Sequence, residues 1–217
     1  MFPFNAECGS LEYFSQENIA YLSPRVRYAP GVDGSPRGSI ELTGSADSFI
    51  EIPNWLGGFA DAGISITLLA FIYPLGGCGP VVSYEVHGCG VQLWHGGFEG
   101  EMGVLTACFT QRDLLPSASY LGAAVLRMNE WNFIGASYDH DSGFARLWHD
   151  GNEVMAVFIG ENSYLATQFP IRIGALASTW VGRSFKGRIS HLHIYAESLT
   201  AENIRAVGGM PSHGKFN

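Results

Sequence analysis

The chain has 217 residues and a formal net charge of −8, from 20 acidic and 12 basic side chains. Hydrophobic residues make up 47% of it and charged residues 15%, which excludes a disordered chain and provides material for one large core. The scarcity of basic residues excludes an electrostatic footprint for nucleic acid or anionic lipid. We expect a single domain over residues 1–217, with its core at about 18–208 and loose ends.

No stretch has the length and apolar character of a membrane helix. The longest apolar run, residues 64–75, is interrupted by polar residues and Pro74, whereas a span needs about 20 apolar residues. The first five residues also lack the basic start and long apolar stretch of a signal peptide. We therefore expect no membrane insertion and no signal peptide within this chain.

Short apolar or alternating runs recur along the chain and predict β-strands. In chain order they lie at residues 39–43, 49–52, 64–73, 81–84, 90–94, 103–109, 131–138, 144–148, 154–159, 171–173 and 188–195. Gly, Asp, Asn or Pro separates most of them, and glycine is about twice as frequent as usual, which fits many tight turns. The pattern predicts an all-β, two-sheet antiparallel jelly-roll sandwich.

Two local signals stand out in the second half of the chain. Asp150-Gly151 lies between alternating runs and predicts a two-residue hairpin, because Gly supplies the positive φ of a primed turn. Thr200 suits the N-cap of a helix that Gly208 ends. We expect one short C-terminal helix.

Four segments in a fixed order resemble laminin G-like domains. They are Gly38-Ser-Ile-Glu-Leu-Thr-Gly44 with residues 49–53, the long strand of residues 64–74, Trp131-Asn-Phe-Ile-Gly-Ala-Ser-Tyr138 with residues 143–151, and Phe185-Lys-Gly-Arg-Ile-Ser-His-Leu-His-Ile-Tyr195 with residues 199–204. The resemblance spans residues 38–207, extends to pentraxins and implies a concanavalin A-like jelly roll. It also implies a non-catalytic module that binds glycans or proteins, extracellular or at the cell surface, with the cytoplasm as the alternative location.

Carboxylates arranged for catalysis are not evident. Glucanases of this fold need clustered carboxylates on one strand, one as acid and one as nucleophile. The nearest candidates, Glu99 and Glu101, flank Gly100 in an expected hairpin tip. We predict a solvated turn there and no enzymatic activity, with a glycoside hydrolase as the remote alternative.

The four cysteines, Cys8, Cys78, Cys89 and Cys108, permit three pairings and have no C-x-x-C spacing. A hairpin folded about residues 98 and 99 would put Cys89 opposite Cys108, which favours a disulfide there and leaves Cys8 for Cys78. The alternative is four buried thiols in a reducing compartment.

Metal ligands are sparse. The resemblance implies a site for at most one calcium ion, because residues 175–179 and His87-Gly88 lack the oxygen ligands of a pentraxin-type double site. Asp47, Asp139 and Asp141 are the candidate ligands, and the alternative is that these acids cap turns.

Histidines are the other candidate ligands. His191 and His193 alternate on one predicted strand, and without a third ligand we expect an outward, solvated pair. His95 and His149 each follow Leu-Trp and are predicted to mark strand ends.

Two predicted strands share a Leu-Trp-His pattern that indicates a binding site. Alternation points their leucines into the core and points four other side chains outward: Gln92, Trp94, Arg146 and Trp148. Aromatic rings beside hydrogen-bonding groups suit the apolar face and hydroxyl edges of a sugar. The alternative is that both tryptophans lie in the core or under a loop.

The other tryptophans receive different predictions. Trp131 is assigned to the sandwich core, and Trp55 and Trp180 are further candidates at the rim. The negative net charge favours neutral glycans over sulphated or sialylated ones. The alternative function is a protein–protein adhesion or matrix scaffold module, and oligomerisation stays open.

Overall fold

Fourteen strands and one α-helix form the regular structure of the described residues. The computed structural model describes residues 1–13, 20–54, 58–85, 90–97, 99–114, 118–177 and 182–209. The elements are β1 (Tyr21–Leu22), β2 (Arg27–Ala29), β3 (Ser39–Thr43), β4 (Ile50–Ile52), β5 (Ile66–Gly76), β6 (Gly79–Tyr84), β7 (Gln92–His95), β8 (Val104–Thr110), β9 (Ala118–Ala124), β10 (Asn132–Tyr138), β11 (Phe144–His149), β12 (Asn152–Phe158), β13 (Ile171–Ile173), β14 (Lys186–Tyr195) and α1 (Ala201–Gly208).

The strands form two seven-stranded antiparallel sheets. The first sheet has the order β1-β4-β13-β6-β7-β8-β9, and the second has the order β12-β11-β10-β5-β14-β3-β2. Some neighbouring strands, such as β5 and β14 or β4 and β13, come from distant parts of the chain, as in a jelly roll. The predicted all-β sandwich with one short C-terminal helix is confirmed.

Alternating side chains fill the space between the sheets. Leu93 on β7 and Leu147 on β11 both belong to this core, as the sequence pattern predicts. On β10, the core side chains are Ile134, Ala136 and Tyr138, so the residues between them point to the outer face of the second sheet. Of the aromatic residues of β10, Tyr138 therefore points into the core and Phe133 points to the outer face.

Helix α1 covers part of that outer face. The Thr200 side chain accepts a hydrogen bond from Asn203 N (3.2 Å), as expected of an N-cap. Ile204 and Val207 on the apolar side of the helix pack in a second buried cluster, which also contains Leu69, Phe133 and Trp148. The described residues contain no helix long and apolar enough to span a membrane.

Three strands, and the burial of the N-terminal segment, were not predicted. β1, β2 and β9 lack clear alternation of apolar residues, and β9 is rich in Ala and Gly. The N-terminal segment was expected to be loose, yet Phe2 and Phe4 are buried in the core and Phe2 pairs with Leu192. The apolar side chains of Phe2 and Phe4 hold this segment against the sandwich.

Candidate functional site

A cavity of about 300 Å³ lies on the outer face of the second sheet, next to the end of α1. Its lining combines an aromatic floor with two polar rims and contains Val32, Phe71, Trp131, Phe133, Asp150, Gly151, Arg205 and Gly208. The volume is at the lower end of the range for small-molecule sites, which are typically apolar with a few polar groups. We call this site the aromatic cavity.

Its floor is built by pairs of aromatic side chains from neighbouring strands. Phe71 on β5 lies opposite Phe133 on β10, and their ring centroids are 4.8 Å apart. Trp131 packs edge-on against Tyr73, with a centroid distance of 5.6 Å. Together they offer an apolar platform that is partly open to solvent.

Trp131 does not lie in the sandwich core, contrary to the prediction. β10, which begins at the next residue, points Ile134 and Ala136 inward, so continued alternation points Trp131 outward. The side chain is half-buried and lines the aromatic cavity. The alternation of this strand could have revealed it, because 131 and 134 differ in parity.

The first rim is the hairpin turn between β11 and β12. Asp150 (φ 49°) and Gly151 (φ 74°) both have positive φ, which confirms the predicted primed turn. Asp150 Oδ1 accepts from Phe133 N (3.1 Å), and Oδ2 accepts from Arg127 Nη2 (2.8 Å). These bonds hold the carboxylate of Asp150 at the cavity wall.

A buried polar network supports this turn. His149 Nε2 lies 3.0 Å from Asn132 Oδ1, and Asn132 Nδ2 donates to the Arg127 carbonyl (2.9 Å). Burial lowers the pKa of His149, so its imidazole is neutral near pH 7. The hydrogen bond to Asp150 raises the pKa of Arg127, which keeps its charge.

The second rim is the C-terminal end of α1. Arg205 is exposed, and its guanidinium has no ion-pair or hydrogen-bond partner among the described residues. Gly209 N donates to the carbonyls of Arg205 (3.0 Å) and Val207, and the carbonyl oxygens of a last helical turn face the end of the helix. This rim therefore offers both hydrogen-bond donors and acceptors.

The predicted pair of outward tryptophans is not brought together. β7 belongs to the first sheet and β11 to the second, so their outward side chains lie on opposite faces of the sandwich. Trp148 does point to the outer face, but α1 covers it and its side chain is only 4% exposed. Trp148 therefore cannot present its ring to a ligand on this face.

The other predicted ligand contacts are separated as well. Trp94 is half-buried on the first sheet and donates from Nε1 to Gln92 Oε1 (2.8 Å). Arg146 pairs with Glu153 (3.2 Å) on the second sheet. Trp55 and Trp180 lie outside the described residues.

The two histidines of β14 do not form an outward pair. A β-bulge between Ser190 and His193 breaks the alternation, and His191 has a φ of 50°. His193 is 8% exposed and stacks on Tyr195, and burial lowers its pKa to about 3. His95 and His149 end β7 and β11, as predicted.

The candidate calcium ligands already bind protein donors. Asp47 accepts from Ser45 Oγ (2.6 Å) and pairs with Arg25 (3.0 Å), and these contacts lower its pKa. Asp139 Oδ1 accepts from Ser142 N (2.9 Å), as a turn cap does. In the part of the chain that the structure describes, no group of three His, Cys, Asp or Glu side chains could hold a metal ion.

The predicted disulfide between Cys8 and Cys78 does not form. Both thiols are free. Cys8 lies in an N-terminal turn, whereas Cys78 lies between β5 and β6 and its thiol donates to the Gly100 carbonyl (3.1 Å). In the β7–β8 hairpin, Gln92 lies opposite Cys108, so the register differs from the predicted one. Cys89 is outside the described residues.

Glu99 and Glu101 lie in the turn before β8, as predicted. Glu101 Oε2 accepts from Glu99 N (3.1 Å), so the carboxylate caps its own turn. Neither residue lines the aromatic cavity.

Comparison with known proteins agrees with the architecture. A model of the laminin G type, described as the concanavalin A-like lectin/glucanases superfamily, matches residues 101–205. This confirms, over that stretch, the resemblance drawn from the sequence, and the fold is a concanavalin A-like sandwich. No curated protein matches the chain.

Solved structures with a similar fold include several toxin binding domains. The binding domain of Paraclostridial Mosquitocidal Protein 1 has a TM-score of 0.74 at 14% identity, covering 95% of this chain and 51% of its own. The botulinum neurotoxin serotype D ligand-binding domain in complex with N-acetylneuraminic acid has a TM-score of 0.67 at 12% identity, covering 89% and 47%. The botulinum neurotoxin DC binding domain in complex with rat synaptotagmin II has a TM-score of 0.64 at 12% identity, covering 89% and 47%.

The chain thus spans about half the length of these binding domains. At this identity, the likeness concerns the fold.

Proposed function

We propose that the chain is a non-catalytic, carbohydrate-binding module that takes a neutral glycan in the aromatic cavity. The observation that carries the proposal is the combination, in one cavity, of an aromatic floor and hydrogen-bonding rims. A pyranose ring has an apolar C–H face, which packs on Trp131 and Phe71, and hydroxyl edges, which reach Asp150 and Arg205. The fold is shared with binding domains, one of them in complex with N-acetylneuraminic acid, and this supports an extracellular or cell-surface role.

The rims favour hydroxyl groups over a carboxylate. The Asp150 carboxylate and the carbonyls at the end of α1 are acceptors. The carboxylate carries a negative charge, and the carbonyls carry partial negative charge. A sugar hydroxyl can donate to these groups and also accept from Arg205, whereas an ionised carboxylate can only accept. The net charge of −8 further disfavours acidic glycans.

The test is a glycan array followed by isothermal titration with the best neutral glycan. Trp131→Ala and Arg205→Met should each weaken binding about tenfold or more, equivalent to about 1.4 kcal/mol. Trp94→Ala is the matched control, since it removes a half-buried tryptophan from the opposite face.

Three results would contradict the proposal. Loss of binding in Trp94→Ala but not in Trp131→Ala would move the site to the first sheet. Binding of acidic glycans alone would leave a glycan module but refute its neutral specificity. Hydrolysis of the bound glycan that disappears in Glu101→Gln would establish an enzyme.

A further inference from the structure

The second sheet ends in an open edge at β12, whose C-terminal end is remote from the aromatic cavity. β12 is the terminal strand of its sheet, and no other described strand pairs with its outer side. Ile159 N donates to Gly143 O (2.9 Å), which makes Phe144 and Phe158 a non-hydrogen-bonded pair of the β11–β12 ladder. By alternation, the backbone N–H and C=O groups of Ala156 and Phe158 point away from β11. They can pair with another strand.

Aromatic side chains are exposed beside this edge. Phe158 is 57% exposed and contacts Phe144 edge-on, at a centroid distance of 5.7 Å. Tyr164, 51% exposed, lies at the same end of the sandwich and packs against His140 (5.5 Å). Large apolar side chains at the surface typically mark an interaction site.

The strand has little of the usual protection of an edge where Ala156 and Phe158 lie. Natural edge strands are commonly blocked by Pro, by Lys, by bulges or by covering segments. β12 contains no Pro and no Lys, and Glu153, its only charged residue, pairs with Arg146. Its bulge against β11 lies before Ala156, and β9 contacts the strand at Met155, whose sulfur accepts from Gly122 N (3.3 Å). The edge is therefore competent to accept a further strand.

Beside the paired Arg146 and Glu153, two acidic side chains lie near the C-terminal end of the edge. Asp141 and Glu161 are exposed and have no ion-pair partner among the described residues. Asn162 N donates to the His140 carbonyl (2.9 Å), which fixes these two turns side by side at the end of β12. A ligand at this edge gains from positive charge.

We propose that the β12 edge, with Phe144, Phe158 and Tyr164, receives an extended polypeptide segment of another protein as an eighth strand. Its backbone pairs with Ala156 and Phe158, its apolar side chains cover the exposed aromatic rings, and its Lys or Arg side chains approach Asp141 and Glu161. This is strand addition, in which main-chain bonds supply affinity and alternate side chains supply specificity. The site is separate from the proposed glycan site.

A second copy of this chain fits the edge less well. Antiparallel self-pairing through Ala156 and Phe158 would bring the C-terminal end of one β12, which leads into the turn of Glu161, to the N-terminal end of the other, at Glu153. That register sets acid against acid. Each copy also carries a net charge of −8.

The test is a selection of random eight-residue peptides displayed on phage, using the folded full chain as bait. We expect enrichment of peptides that alternate β-branched or aromatic residues with Lys or Arg. Synthetic versions are then titrated by fluorescence anisotropy. Ala156→Pro should weaken the selected peptide at least tenfold, because it removes an outward N–H without touching the bonds to β11.

Two further variants make the test specific. Ala156→Ser retains the N–H and should bind like the wild type. Glu161→Lys should weaken the basic peptides about tenfold and, unlike Ala156→Pro, does not alter the strand. Peptide binding that is unchanged in both Ala156→Pro and Glu161→Lys, an acidic consensus, no enrichment at all, or a stable dimer by analytical ultracentrifugation would overturn the proposal.

Discussion

The indole N–H of Trp148 donates to Ser137 Oγ at 2.8 Å, in a buried contact beneath α1. This bond fixes the ring that the helix packs on, so Trp148 is an anchor for α1 and not a ligand contact. Trp148→Phe should lower the free energy of unfolding by about 1–3 kcal/mol, because Ser137 is left with an unpaired hydroxyl and a void opens.

Urea denaturation measures this loss, with Trp94→Phe as the comparison. Trp94 is half-buried and donates to a neighbour on its own strand, so its replacement should cost less. Equal losses in the two variants would contradict the anchoring role of Trp148.

Gly208 should resist replacement although it is helical. Gly→Ala within a helix ordinarily stabilises by about 0.5–1 kcal/mol. Here a Cβ on Gly208 would lie 2.6 Å from Cε1 of Phe133, a ring of the cavity floor. Gly208→Ala should therefore destabilise by about 1–3 kcal/mol and weaken glycan binding. Gly209→Ala, whose Cβ would meet nothing closer than 3.5 Å, should leave both properties unchanged.

Stability should fall with acidification below pH 6.5. Burial lowers the pKa of His193 to about 3 and also lowers the pKa values of His95 and His149. The unfolded chain then binds more protons than the folded one below the ordinary histidine pKa, so stability is present above that value and is lost as pH falls.

Melting temperatures between pH 7 and pH 5 test this, before the carboxylates titrate. His193→Phe removes one titrating group while keeping a ring to stack on Tyr195, and its melting temperature should vary less with pH. An unchanged slope in this variant would contradict the assignment.

Calcium should have no effect on stability through Asp47 or Asp139. Their carboxylates already accept from Ser45 and Ser142, and a calcium site needs six to eight oxygen ligands. We expect a melting temperature that is the same with calcium and with EDTA, and no heat on titration. A melting temperature that rises in calcium, and no longer rises in Asp141→Asn, would instead establish a calcium ion at the turn of Asp139 and Asp141.

Much of the fold follows from local patterns in the sequence. Period-two alternation identified most strands, and Asp150-Gly151 identified the hairpin, because the positive φ of both residues is a local property. Thr200 likewise identified the start of the helix, because N-capping depends on a residue and its near neighbours. β9 was not predicted because its small Ala and Gly residues do not distinguish an apolar face from a polar one.

The site was harder to predict because it depends on contacts between distant segments. Alternation gives Trp148 an outward direction, but only the tertiary position of α1 shows that it is covered. Sequence spacing also cannot tell that β7 and β11 belong to different sheets. The bulge at His191 reverses a face within one strand, and no residue type marks it.

The β11–β12 hairpin touches both proposed binding surfaces. Its turn forms a wall of the aromatic cavity, while the far end of β12 carries Phe158. Seven residues of strand span roughly 23 Å, too far for one small ligand to reach both places. A sugar at the turn and a peptide at the far end can therefore be held at once, at a fixed spacing, which would make this sandwich a coupler between a glycosylated surface and a second protein.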